Sequence, residues 1–408
     1  MSWKNSQLPS IPDSEPLWTK NFVKIWIFNL SICLWSFMLH APFQFYILEL
    51  GGTELLVGIT AGAMSLAALS MRPLAGWILD NKSRSRLLIV STLLITIISL
   101  LLLFIPVLAV AIILRIVGGF MFSATTTGSA TNASDTIPLS RFGEGIGYLG
   151  LGNTLATALG PLIGLSIIAH LGFRPLFMAA MVVIMVAFIA ATRFSYKEVK
   201  VKVRQEIHPP ASKSLFSRLF NADAVPASIV VLLSAVPFGG VAVFIAIYGE
   251  ITGLGNGGLY FLLIAVGTGS TRMVSGRLAD RVGEKPLVLI GNVAFLFALV
   301  TLLVDSGFTF YTSGFMFGVG FGISIPAMQA MSMRIVPLEK RGSASSTFLC
   351  AHDISAGLGG FIAGVLVTAW GYKPMFAAFS VFVVASTLVY MLWASKTPSA
   401  FKVYNQAK

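Results

Sequence analysis

Charge is what this 408-residue sequence has least of: only 11% of it is Asp, Glu, Lys or Arg. A soluble domain carries roughly 25%, so an ordinary water-facing surface is excluded. Histidine is scarce too, with His40, His170, His208 and His352 scattered along the chain, and neither an HExxH metal motif nor a GxSxG nucleophile motif occurs. Cys33 and Cys350 are the only cysteines and both sit in apolar runs, which leaves no disulfide framework and no CxxC site. The absence of a G-x-x-x-x-G-K-[ST] run removes P-loop hydrolysis of ATP. No catalytic constellation is visible, and the chain does not read as an enzyme.

What is there is apolar: 56% of the residues are hydrophobic. Runs near twenty residues, long enough to cross a hydrocarbon core of ~30 Å, cover Val23 to Leu48, Leu55 to Leu79, Leu87 to Ile105, Leu108 to Thr131, Gly145 to His170 and Leu176 to Phe194. After a polar stretch they resume over Pro226 to Gly249, Gly258 to Ala279, Leu287 to Val304, Phe310 to Met333, Ser343 to Thr368 and Met375 to Trp393. The expected fold is an all-α membrane protein with twelve transmembrane helices in two six-helix bundles. Its expected parts are a tail (1–22), a first bundle (23–194), a basic linker (195–225), a second bundle (226–394) and a second tail (395–408). The first twenty residues are polar and lack a cleavable-signal layout, so span 1 is expected to direct insertion.

The net charge of +12 marks sidedness. Of the 28 Lys and Arg, only Arg174 and Lys373 fall opposite the termini, and Arg72, Arg115 and Arg272 lie within spans. The positive-inside rule then puts both termini in the cytoplasm, with the chain multi-pass in the cell membrane. Basic charge spread over many short loops forms no nucleic-acid patch.

The halves repeat at an offset of 199 to 200 residues. Arg72, Gly76 and Asp80 fall on Arg272, Gly276 and Asp280, Pro138 and Gly143 fall on Pro337 and Gly342, and LGFRPLF (171–177) falls on WGYKPMF (370–376). Parallel repeats about an axis along the membrane normal place a substrate path between the bundles.

On these residues the chain resembles the major facilitator superfamily, and within it the twelve-helix drug:proton antiporters. The family's G-x-x-x-D-[RK]-x-G-[RK]-[RK] loop is matched in part by Gly76, Asp80, Arg84 and Arg86, and again by Gly276, Asp280, Arg281, Gly283 and Lys285. Gly76 removes bulk where helices approach, and Asp80 can sit against a helix N-terminus and lock one conformation. The resemblance implies helix 11 as that neighbour and a pairing of Arg84 with Asp135. The competing reading is that these charges anchor helix ends. Arg115 with Gly118 and Gly119 resembles the family's helix-4 R-x-x-x-G motif. A cation there costs ~2.5–3.5 kcal/mol on insertion scales, so it is expected to face a cavity or a partner, for coupling, substrate contact or a structural hydrogen bond. Helix 5 resembles the antiporter motif through Gly147, Gly152, Gly160, Pro161 and Gly164, with Ala156 and Leu165 in place of two glycines.

Asp353, beside His352 in helix 11, is the acid furthest from any helix end and a candidate proton carrier or interhelical bridge. His40 and Gln44 in helix 1 form a weaker polar pair. Phe43, Tyr46, Phe238, Phe244, Tyr248, Met328 and Gln329 are candidate pocket walls. The resemblance implies alternating-access export of a drug-like molecule or metabolite in exchange for protons, by a monomer in the bilayer with no cofactor. Uptake by symport or uniport fits the same scaffold, and a non-transporting sensor is the reading from another class. Arg115 with a single deep acid argues against a strictly cationic substrate and leaves anionic, zwitterionic and neutral ones open.

Overall fold

A bilayer offers no water to backbone N–H and C=O groups, so a chain this apolar satisfies them within helices. The computed structural model describes residues 16–138, 141–193, 221–334, 336 and 341–396. Residues 1–15 of the first expected tail, 397–408 of the second and 195–220 of the linker lie outside them. The helices are α1 (Lys20–His40), α2 (Glu54–Asn81), α3 (Arg84–Phe104), α4 (Leu108–Thr136), α5 (Phe142–Leu171), α6 (Phe173–Thr192), α7 (Val225–Thr252), α8 (Gly257–Val282), α9 (Glu284–Thr301), α10 (Gly307–Arg334), α11 (Arg341–Trp370) and α12 (Tyr372–Leu392). Eleven are long and apolar enough to cross a membrane. The twelfth, α8, carries Arg272 among Thr268, Ser270, Thr271 and Ser275, and packs between α10 and α5.

Several helices overrun the apolar runs because polar caps extend them. The Thr19 hydroxyl accepts from Phe22 N at 3.2 Å, and that of Thr53 from Leu56 N at 3.4 Å. Span 1 departs from the expectation of one continuous helix: α1 stops at His40 and a short helix, Pro42–Glu49, follows. Pro42 lacks an N–H and suits the first position of a new helix, not the interior of a longer one.

The repeat is visible in the backbone. Gly172 and Gly371 both take φ +84° ahead of α6 and α12, a conformation that favours glycine. In the first bundle α1 packs on α5 and α6, and α2 on α4; in the second, α7 packs on α11 and α12, and α8 on α10. Small residues permit these approaches. A methyl at Gly160 would lie 2.7 Å from Phe37 Cβ, and one at Gly164 would strike the Met38 carbonyl and lie 2.9 Å from Pro42 Cγ. The helix-5 glycines Gly160 and Gly164 therefore seat α5 on α1 inside its own bundle.

The bundles meet through α2 with α11 and α5 with α8, pairs that the repeat interchanges. Contact is tightest away from the termini. A methyl at Gly58 would lie 2.7 Å from Gly360 O and 2.8 Å from Gly364 Cα, and one at Gly258 would lie 3.1 Å from Leu162 Cα. Near the terminal end of α2, by contrast, a methyl at Gly76 would meet no described atom within 4 Å. Gly76 is expected at a close approach; among the described residues the close approach of α2 lies at the other end of the helix.

Gly164→Val should therefore lower the apparent unfolding temperature of the detergent-purified protein, overpacking of this kind costing ~1–3 kcal/mol. Gly76→Ala should leave it unchanged, and equal stability of the two variants would contradict the packing described.

Candidate transport site

Helix α11 places Asp353 at the bundle interface, where its Oδ2 lies 2.7 Å from Arg72 Nε of α2. The side chains are 23% and 39% exposed, so the pair is half-sheltered. Neither atom makes a well-aligned hydrogen bond, which marks the contact as ionic and leaves its geometry loose. Just outward, a methyl at Gly357 would lie 2.8 Å from Ser65 Cβ, and Gly62 faces Gly357 and Phe361. Asp353 also borders a crevice of about 360 Å³ walled by Ile59, Leu66, Leu69, Leu358 and Phe361, several of them exposed where lipid would be. Its neighbour His352 stands edge-on to Phe321 at 5.7 Å, and Phe321 lies 4.8 Å from Phe238. These rings, from α11, α10 and α7, are half-buried.

A second polar group forms in the first bundle. Arg115 of α4 is 5% exposed and lies over the Phe43 ring, its guanidinium carbon 4.9 Å from the centroid. His40 is close enough to feel its charge, and Gln44 Nε2 donates to the His40 carbonyl at 3.2 Å. Arg115 Nη2 and Gln44 Oε1 are both sealed from solvent with no hydrogen-bond partner among the described residues. Further along α4, Ser129 donates to Asn29 Oδ1 at 3.2 Å, while Ser123 Oγ, Thr127 Oγ1 and both amide atoms of Asn132 have no described partner.

The structure thus sets Arg115 over Phe43 and near His40, and pairs Asp353 with Arg72, an intramembrane cation to which the sequence assigned no partner. The hydroxyl- and amide-rich run from Ser123 to Asn132 was also missed; its signal was a polar stretch inside a span. Another lies at the end of the bundles away from the termini, a cavity of about 560 Å³ bordered by Glu49 and Glu250, acids at matching ends of the repeat. Of the proposed pocket walls, Phe43, Tyr46, Phe244, Tyr248 and Met328 are buried. Tyr248 packs on Phe310, Tyr372 and Phe376, and Phe244 on Tyr372. Gln329 is half-buried. Apolar residues facing core, lipid and cavity look alike in sequence.

Of the motif residues, Arg84 Nε donates to the Leu79 carbonyl at 3.2 Å. The side chains of Asp80, Asp135, Asp280 and Arg281, and the surroundings of Gly147 and Gly276, lie outside what the structure describes, and so does the expected Arg84–Asp135 pairing. Gly283 takes φ +81° as the cap of α9. Gly152 has ordinary room, 3.6 Å from where its methyl would be to Trp26 Nε1. Pro161 lies inside α5.

Twelve long helices in two repeated bundles, charged at their interface, define a polytopic membrane protein of the transporter type. The model of the Major Facilitator Superfamily matches residues 26–271 and 257–407, and the chain belongs to that family. It is 22% identical to the staphylopine export protein of Staphylococcus aureus, over 87% of this chain and 91% of that one. It is 25% identical to the multidrug resistance protein MdtG of Proteus mirabilis, over 93% and 97%. Among solved structures it matches the nucleoside transporter NupG (TM-score 0.71, 14% identity, 92% and 99% coverage). It also matches a bacterial homologue of the human lysosomal transporter Spinster (TM-score 0.71, 15% identity, 93% and 97% coverage). At these identities the structural likeness establishes the fold.

The α2–α11 contact yields a direct test. With Cys33 and Cys350 replaced and a protease site placed in the linker, Ser65→Cys with Gly357→Cys should form a disulfide under mild oxidation. The two halves would then stay joined on a denaturing gel after cleavage. Separate halves would refute the register.

Proposed function

We propose that this transporter exports a small drug-like molecule or metabolite across the cell membrane in exchange for protons, by alternating access. The observation that carries the reading is the ion pair between Arg72 and Asp353, because it joins the two bundles and is broken by a single proton. With Asp353 ionised, the carboxylate and guanidinium attract across the interface in a medium of low dielectric constant. When Asp353 is protonated the charge–charge attraction is gone, and α2 and α11 are free to separate towards the terminal side. Rocking the bundles about the glycine contacts near Gly58 exchanges access from one side to the other.

Export is favoured by relatives whose names denote export and multidrug resistance, and by the partial antiporter motif in α5. The bias of Lys and Arg supports cytoplasmic termini. One chain supplies both bundles and the path between them, which makes a monomer sufficient. The proton gradient serves as the energy source with no cofactor or nucleic acid involved: one proton crossing 100 mV releases ~2.3 kcal/mol, enough to hold roughly a 40-fold gradient of a neutral substrate.

The test is collapse of the pH gradient in inverted membrane vesicles energised by respiration and challenged with a panel of drugs and metabolites. Substrate-dependent proton release is expected from the wild type and not from Asp353→Asn expressed at the same level. Full coupling in that variant would remove Asp353 from the mechanism, and substrate entry without proton movement would replace antiport by uniport.

A further inference from the structure

Away from the helix ends, the first bundle contains two cations in its spans, Arg72 and Arg115, and no Asp or Glu. Arg72 obtains its counter-charge from Asp353 of the second bundle. That carboxylate is the only one deep within a span anywhere in the sequence. Arg115 is therefore left with none, and among the described residues it makes no ion pair and no hydrogen bond.

Its setting suits a ligand. Arg115 precedes Gly119 by one helical turn and shares its face, and Gly119 packs on Met64 of α2, so the side chain points into the bundle and away from lipid. Phe43 and Gln44, which accompany it, stand on the short helix Pro42–Glu49. That helix also packs against α7 of the second bundle, so the residues that flank the guanidinium reach the interface between the halves. A guanidinium offers donors in a fork that matches the two oxygens of a carboxylate or the oxygens of a sulfonate or phosphate monoester.

We infer that Arg115 is an anion-binding site and that the transported substrate is an organic anion whose negative group pairs with it. The half-buried rings of Phe238, Phe321 and His352 on the opposite bundle then receive the apolar body of the molecule. This rests on the transport reading for its biology, but binding can be measured apart from transport.

The experiment follows thermal unfolding of the purified full-length protein in detergent, at constant ionic strength. Benzoate, benzenesulfonate and phenyl phosphate are each compared with uncharged benzamide. The wild type should be stabilised more by at least one anion than by benzamide. Arg115→Met should raise the half-saturating concentration of that anion at least ~10-fold, the order expected for losing a charge-assisted hydrogen bond. The same variant should unfold no earlier than the wild type without ligand, since it removes a buried charge that nothing answers. Arg115→Lys should keep the preference for the anion at weaker affinity.

Equal stabilisation of the wild type by all three anions and benzamide overturns the inference, whether or not the variants fold. So does an undiminished anion preference in Arg115→Met. Anion binding through Arg115 with no transport in vesicles would leave this site standing and fell the antiport reading. Proton-coupled export of neutral drugs unaffected by Arg115→Met, with no anion binding, would do the reverse.

Discussion

A charge held inside a bilayer is costly unless another group answers it, because water is scarce there. In this protein Arg72 is answered by Asp353 from the other bundle, so the electrostatic requirement of one half is met only by docking against the other. The neighbouring contacts conform to that arrangement. Gly62 and Gly357 let α2 and α11 come close enough for the two side chains to meet, and Gly58 with Gly360 and Gly364 brings the same helices to backbone contact further out.

The two bundles share a backbone plan but differ in what they line it with. The first places Arg115, His40, Gln44 and the polar run of α4 along its inner helices, while the second offers Phe238, Phe321 and His352. A repeat that kept its helix packing while its side chains diverged provides one polar wall and one aromatic wall.

The sequence discloses most of the scaffold, because span length, charge sidedness and the Arg72/Arg272 repeat are local or periodic signals. It singles out Arg115, Asp353, His352, His40 and Gln44 as candidates, and the structure sets Arg115 over Phe43 and Asp353 beside Arg72. It does not disclose that Arg72 meets Asp353, since that pairing follows from how the bundles dock and no local pattern encodes it. Phe244 and Tyr248 were assigned to a pocket wall for a related reason: in a span where nearly every residue is apolar, hydrophobicity cannot separate core from cavity. Helix 5 shows the same ambiguity in its glycines, whose close contacts at Gly160 and Gly164 face α1 in the same bundle and not the partner bundle. Pro42 was readable as a break, and ignoring it merged two helices into one.

The glycine contact at Gly58 has a mechanical meaning. From Gly58 to Gly76 the chain of α2 runs eighteen residues, about 27 Å of helix at 1.5 Å per residue. Held backbone to backbone at Gly58 and by the Arg72–Asp353 ion pair towards its other end, α2 has the form of a lever whose fulcrum needs no sliding, because two backbones without side chains meet there. On an arm of that length each degree of tilt moves the free end by roughly 0.5 Å. A rotation of about ten degrees, small enough to leave the outer glycine contact intact, would displace the terminal end by about 5 Å, close to the pitch of one helical turn.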